Sequence, residues 1–144
     1  MLLLAAAAVG GALAIQVAMN TMMRNYAGTA AGATLLSFIT GALAVTLVML
    51  LTRTTWPNAK ELGGAPWWAW FGGVLGGTYV LVTVLLSNRL GPGPMFAAIV
   101  AGQMATAIAL EHFGWLGVPQ HPVSATRVLG VALLVGGVAL IRRA

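Results

Sequence analysis

Four polar side chains lie within strongly apolar stretches and have the chemistry to bind a polar solute. Gln16 and Asn20 are four residues apart, so they share one face of a helix, and their amides can both donate and accept hydrogen bonds. Gln103 carries a third amide and Tyr79 a hydroxyl. Within hydrocarbon such groups need a partner or a water-filled cavity. We predict that these four residues bind solute; a hydrogen bond between helices is the alternative for Gln103.

A carboxylate follows Gln103 on the same helical face. Ala107 and then Glu111 come at four-residue intervals, which places a small residue between the amide and the acid. A carboxyl group in hydrocarbon either takes up a proton or pairs with a cation. Glu111 is therefore a candidate for proton coupling or cation recognition. The alternative is a carboxylate at the membrane interface, paired with a group such as His112, Arg127 or a loop residue.

The remaining polar residues give little support for catalysis. Hydroxyl residues such as Ser37 and Thr40 can bond a backbone carbonyl of their own helix, which favours a structural role. A structural role is likewise the alternative for Tyr79. Cys is absent, and His112 and His121 lack a third metal ligand. The sequence contains no Walker loop, dinucleotide fingerprint or Ser/His/Asp set. We therefore predict that the protein is not an enzyme and has no cofactor or metal.

Transmembrane helices must position these residues. Hydrophobic residues make up 60% of the 144 residues and charged residues only 6%, whereas soluble domains have about 25% charged residues. A span needs about 20 apolar residues. The pattern predicts an all-α integral membrane protein whose single membrane domain, residues 1–144, has five spans, at about 2–23, 29–51, 67–87, 95–113 and 125–141. The first is predicted to be retained, with a cleaved signal peptide as the alternative.

Polar and helix-breaking segments separate the predicted spans. The polar stretch 52–66 and the segment 114–124 predict loops, and Gly91-Pro92-Gly93-Pro94 predicts a turn because proline lacks an amide hydrogen. Three tryptophans at the start of span 3 are typical of the membrane interface. They are Trp67, Trp68 and Trp70.

The basic residues are nearly balanced between the two sides of the membrane. Seven Lys and Arg lie singly between apolar runs, without the basic stripe of a nucleic-acid-binding surface. Five spans place Arg53, Lys60 and Arg127 on the N-terminal side, and Arg24, Arg89, Arg142 and Arg143 on the other. Three against four gives no firm orientation by the positive-inside rule. We predict insertion in both orientations; a weakly biased protein with one orientation, or one oriented by a partner, is the alternative.

Small residues in two spans are spaced for close helix contact. Gly72 and Gly76, like Gly73 and Gly77, form small-xxx-small pairs, which suit packing within one subunit. Gly130 and Gly137 are one heptad apart in span 5. We predict a contact between subunits at Gly130 and Gly137, with packing inside the subunit as the alternative.

Four segments resemble the small YdcZ-type proteins of the drug/metabolite transporter superfamily. They are GALAIQVAMN from Gly11, WWAWFGGVLGGTYV from Trp67, NRLGPGPMFAAIVAGQMATAIALEHFG from Asn88 and RVLGVALLVGGVALI from Arg127. The most specific feature is AGQ followed by a carboxylate, His, Phe and Gly. The family usually has Asp at the acidic position, where this chain has Glu111.

The resemblance implies a multi-pass protein of the bacterial inner (plasma) membrane, equivalent to one inverted-repeat half of a ten-helix transporter. Two copies in opposite orientations would complete the pair. We therefore expect a secondary transporter of a small organic solute, an antiparallel homodimer with a central cavity lined by spans 1 to 4 of both copies. A non-transporting scaffold or accessory subunit of a larger membrane complex is the alternative.

Overall fold

The computed structural model describes residues 1–143, and all regular structure in that range is helical. Five helices are long and apolar enough to cross a membrane, which confirms the predicted all-α fold with five spans. The helices are α1 (Leu2–Ala27), α2 (Ala30–Thr52), α3 (Ala59–Leu62), α4 (Phe71–Leu90), α5 (Pro92–Phe113) and α6 (Ala125–Arg143). A 3-10 turn, Trp67–Trp70, leads into α4, and a second one, Trp115–Gly117, follows α5.

Two residues connect α1 to α2. Gly28 ends α1 in the left-handed conformation, with φ of 76°, which glycine adopts without steric cost. Thr29 then caps α2, because its hydroxyl accepts the backbone N–H of Gly32 at 2.9 Å. The two helices therefore form an antiparallel hairpin, and their buried residues lie in the half nearer the turn.

The break between α4 and α5 is shorter than the sequence predicts. Gly91 alone separates the two helices, with φ of 77°, and α5 begins at Pro92. Proline fits the first helical position because an N–H at that position would have no hydrogen-bond partner within the helix. The polar stretch before α4 also contains structure, since Asn58 caps the single turn α3 by accepting the N–H of Lys60 at 3.0 Å.

The chain forms two compact units, one from Met1 to Asn88 and one from Arg89 onward. In the first unit, Phe38 of α2 lies against Gly76 of α4, where an added Cβ would be 3.7 Å from the Phe38 Cζ atom. In the second unit, α5 and α6 pack as antiparallel neighbours. No residue of α6 is fully buried in the described chain, so the faces of α6 that do not contact α5 are open to lipid or to a partner.

Candidate functional site

A groove of about 540 Å³ that contains several polar side chains runs between α1 and α2. Gln16 and Asn20 both line it, as expected for amides one helical turn apart. Ser37 and Thr40 of α2 line it as well. The other lining residues are Ala12, Ile15, Met19, Met23, Leu36, Gly41 and Ala44. The hairpin therefore presents uncharged polar groups along a largely apolar groove.

A hydrogen bond crosses between the two helices at this groove. Gln16 Nε2 donates to Ser37 Oγ over 3.4 Å. Thr40, in contrast, donates its hydroxyl to the backbone carbonyls of Leu36 and Ser37, each at 3.0 Å. Thr40 thus has the structural role that its type favours, whereas Ser37 contributes its side-chain oxygen to the groove.

Asn20 is the most tightly enclosed polar group of the groove. Its side chain is only 7% exposed, and its Nδ2 atom is buried without a hydrogen-bond partner among the described residues. Leaving such a donor unpaired costs about 1–3 kcal/mol. The first unit therefore contains an amide whose hydrogen-bonding capacity is unused in this conformation.

The hydroxyl residues of α4 are not part of the groove. Tyr79 is half-buried and does not line it. Thr83 is buried and donates to the carbonyl oxygen of Val80 at 2.8 Å, so it satisfies itself within its helix. Of the four predicted solute-binding residues, the structure thus brings Gln16 and Asn20 together at one groove without Tyr79.

Gln103 and Glu111 belong to the second unit, on α5. The Gln103 side chain is exposed and has no hydrogen-bond partner among the described residues, while Ala107 and Glu111 are partly buried. A helix-to-helix hydrogen bond, the alternative for Gln103, is thus not formed within the described chain. The amide remains open to a ligand or to another chain.

Glu111 forms an ion pair with Arg127. Its Oε2 atom accepts from Nη1 of Arg127 at 2.6 Å, and the two side chains keep 32% and 37% of their surface exposed, respectively. The partner is one of those expected for an interfacial carboxylate. The ion pair joins the C-terminal turn of α5 to the first turn of α6.

Hydrogen bonds also connect the end of α5 to the loop that leads to α6. The backbone N–H of Val123 donates to His112 Nδ1 at 3.2 Å, and Gln120 Nε2 donates to the His112 carbonyl at 2.9 Å. The N–H of His121 donates to the Glu111 carbonyl at 2.8 Å. His112 therefore organises a loop, and the described residues include no group of three His, Cys, Asp or Glu side chains that could hold a metal.

Gly130 and Gly137 line an apolar groove of about 540 Å³ between α5 and α6. A Cβ atom added to either glycine would meet nothing within 4 Å. The space over these glycines is therefore not filled by side chains of the described chain, as a contact with another subunit would require.

Comparison with known proteins places the whole chain in one family. A family model described as "Putative inner membrane exporter, YdcZ" matches residues 1–140. Searches of curated proteins and of solved structures give no match. The family description and the five apolar helices agree that this is a multi-pass membrane protein. Since the match covers nearly the full sequence, the chain belongs to the YdcZ family.

Proposed function

We propose that the chain is a secondary transporter that moves a small organic solute across the bacterial inner membrane. The observation that carries the proposal is the α1–α2 groove, where Asn20 keeps a buried donor unpaired within a membrane-spanning hairpin. Polar groups are costly inside a bilayer and are typical of solute pathways there. The exporter description of the family supports the same class of function.

We also propose that the working unit is an antiparallel homodimer. Five helices supply one half of an inverted repeat, and a second copy in the opposite orientation would supply the other. The near balance of basic residues, three against four, is compatible with both orientations. The unfilled groove over Gly130 and Gly137 on a helix without buried residues is our candidate for the contact between copies.

In this proposal the second unit supplies the coupling group. Glu111, which pairs with Arg127 where α5 meets α6, is the proposed group for proton coupling or cation recognition. Gln103 offers its exposed amide to the solute.

Purified protein in liposomes tests the transport proposal. We expect proton-linked flux of at least one compound in a broad solute panel, and loss of that flux in Gln16→Ala and Gln103→Ala. Asn25→Ala is a matched control, because this exposed amide at the end of α1 does not line the groove. Absence of flux across the panel, together with unchanged cellular phenotypes of the two glutamine variants, would reject a transporter and favour a scaffold.

Single cysteines in α6 test the dimer. The natural chain has no cysteine, so Gly130→Cys and Gly137→Cys each introduce a unique thiol into open space. In an antiparallel pair the two ends of α6 exchange places, so a bifunctional reagent should link Gly130→Cys to Gly137→Cys in mixed samples. Links formed only between identical positions would indicate a parallel pair and reject the proposed arrangement.

A further inference from the structure

The lining of the α1–α2 groove contains no charged side chain. All eleven of its residues are apolar, amide, hydroxyl or thioether in type. Arg24, one helical turn beyond Asn20, is the nearest cation along α1 and is not part of the lining. A charged solute would lose its hydration in this groove without gaining a counterion, which makes its entry costly.

The two amides offer complementary hydrogen-bonding groups. Gln16 uses Nε2 toward Ser37, which leaves its carbonyl oxygen Oε1 as an acceptor. Asn20 holds the unpaired donor Nδ2. The terminal torsion of asparagine has a broad, two-fold potential, so the amide can turn Nδ2 toward the groove when an acceptor arrives. Four residues of helix, about 6 Å along the axis, separate the donor residue from the acceptor residue.

Thioether and aliphatic side chains form the rest of the contact surface. Met19 and Met23 line the groove beside Asn20, and Ile15 and Leu36 extend its apolar wall. Methionine adapts its shape to its ligand and makes favourable contacts between sulfur and aromatic rings. Such walls suit a flat apolar body more than a fully hydrated, sugar-like one.

We infer that this groove binds uncharged solutes that combine a neutral group able both to donate and to accept hydrogen bonds, such as a carboxamide, with an aromatic or aliphatic body. This inference rests on the proposed transport function for its physiological meaning, but it concerns binding alone. Asn20 donates to the solute's acceptor, and Gln16 Oε1 accepts from the solute's donor. Selection against ions follows from the absence of charge in the lining.

Three isosteric probes separate the charge types: benzamide is neutral, benzoate an anion and benzamidine a cation at pH 7. The reporter is Gly41→Cys, a groove position where an added Cβ meets nothing within 4 Å. Full-length protein in nanodiscs is labelled with a maleimide while each probe is titrated. Gly63→Cys, in the polar loop before α4, provides a control thiol outside the groove.

We expect benzamide to slow labelling of Gly41→Cys by about tenfold at a concentration about ten times its Kd, as mass action requires for a competing ligand. Benzoate and benzamidine should leave the rate unchanged, and none of the probes should affect Gly63→Cys. Adding Asn20→Leu should abolish the protection. If that variant does not fold, Gln16→Leu should weaken it in the same way.

Equal protection by a charged probe, protection that survives both amide substitutions, or no protection by benzamide would overturn the inference. Its failure is distinct from failure of the transport proposal. Flux in liposomes without benzamide protection rejects only the assigned ligand class. Protection without any flux rejects transport and leaves a binding groove for neutral amides.

Discussion

Glu111 and Arg127 form an ion pair at 2.6 Å that fastens the end of α5 to the beginning of α6. Each side chain keeps about a third of its surface exposed, 32% and 37%, respectively, so solvent screens the attraction. Pairs of this kind contribute about 0–1 kcal/mol to stability. Such a weak link can open during the proposed transport cycle without unfolding the hairpin.

The two partners of this ion pair should differ in their effect on transport. We expect Glu111→Gln and Arg127→Gln each to lower the free energy of unfolding by at most about 1 kcal/mol, since both remove the same exposed pair. Only Glu111→Gln should abolish proton-linked flux, because Glu111 is the proposed coupling group. Flux measured in liposomes with and without a proton gradient checks this. Equal effects of the two substitutions would assign the pair a purely structural role.

Asn20→Leu should separate stability from function. Leucine has the same branched shape and number of heavy atoms as asparagine and removes the buried, unpaired Nδ2, so we expect stability to stay level or to rise by about 1–3 kcal/mol. Solute flux should fall strongly. Thr34→Val is the matched control, because this buried threonine of α2 donates only to the Ala30 carbonyl and does not line the groove. Chemical denaturation of both variants, alongside flux, would reveal a loss of stability that contradicts the expectation.

The glycines of α4 should respond differently to a large side chain. Gly76→Leu must displace the Phe38 ring, which lies 3.7 Å from the position of its Cβ, and overpacking of this kind costs about 1–3 kcal/mol. A Cβ atom added at Gly72 meets nothing within 4 Å, so we expect Gly72→Leu to be tolerated in the isolated chain. Thermal unfolding in detergent measures the difference. An equally large loss for Gly72→Leu in detergent would contradict the proposed packing of α2 against α4.

Changing the basic residues should set the orientation in the membrane. Removing Arg53 and Lys60 by substitution with glutamine leaves one basic residue on the N-terminal side against four on the other. The positive-inside rule then places the C-terminus in the cytoplasm in nearly all molecules. A reporter that is active on only one side of the membrane, fused to the C-terminus, measures the orientation of this variant and of the parent chain. A parent chain that already shows a single orientation would rule out dual insertion.

The helices could be predicted from the sequence because long apolar runs with few charges have one stable form in a bilayer. Their ends were less predictable. Helix α1 continues to Ala27, beyond the predicted end near residue 23, because Arg24 suits the C-terminal turn of a helix and Gly28 supplies the stop. Proline is unfavourable inside a helix but favourable at its first position, and the sequence alone does not show which position Pro92 takes. In the structure Gly91 is the N-cap, so Pro92 is the first residue of α5.

The candidate site could be predicted only within single helices. Periodicity places Gln16 and Asn20 on one face, but it does not give the register between α1 and α2 that puts Ser37 beside Gln16. Arg127 can pair with Glu111 because of the path that the intervening loop takes, and hydrogen bonds between this loop and His112 fix that path. The unpaired state of Asn20 is likewise a property of packing, which residue type does not reveal.

The connection through Gly28 and Thr29 has a consequence for biogenesis. Two extended residues reach about 7 Å, far less than the roughly 30 Å of the hydrocarbon layer. The C-terminal end of α1 and the N-terminal end of α2 must therefore lie on the same side of the bilayer. Whichever orientation α1 adopts during insertion thus fixes that of α2, so we expect the two helices to enter the bilayer as one hairpin.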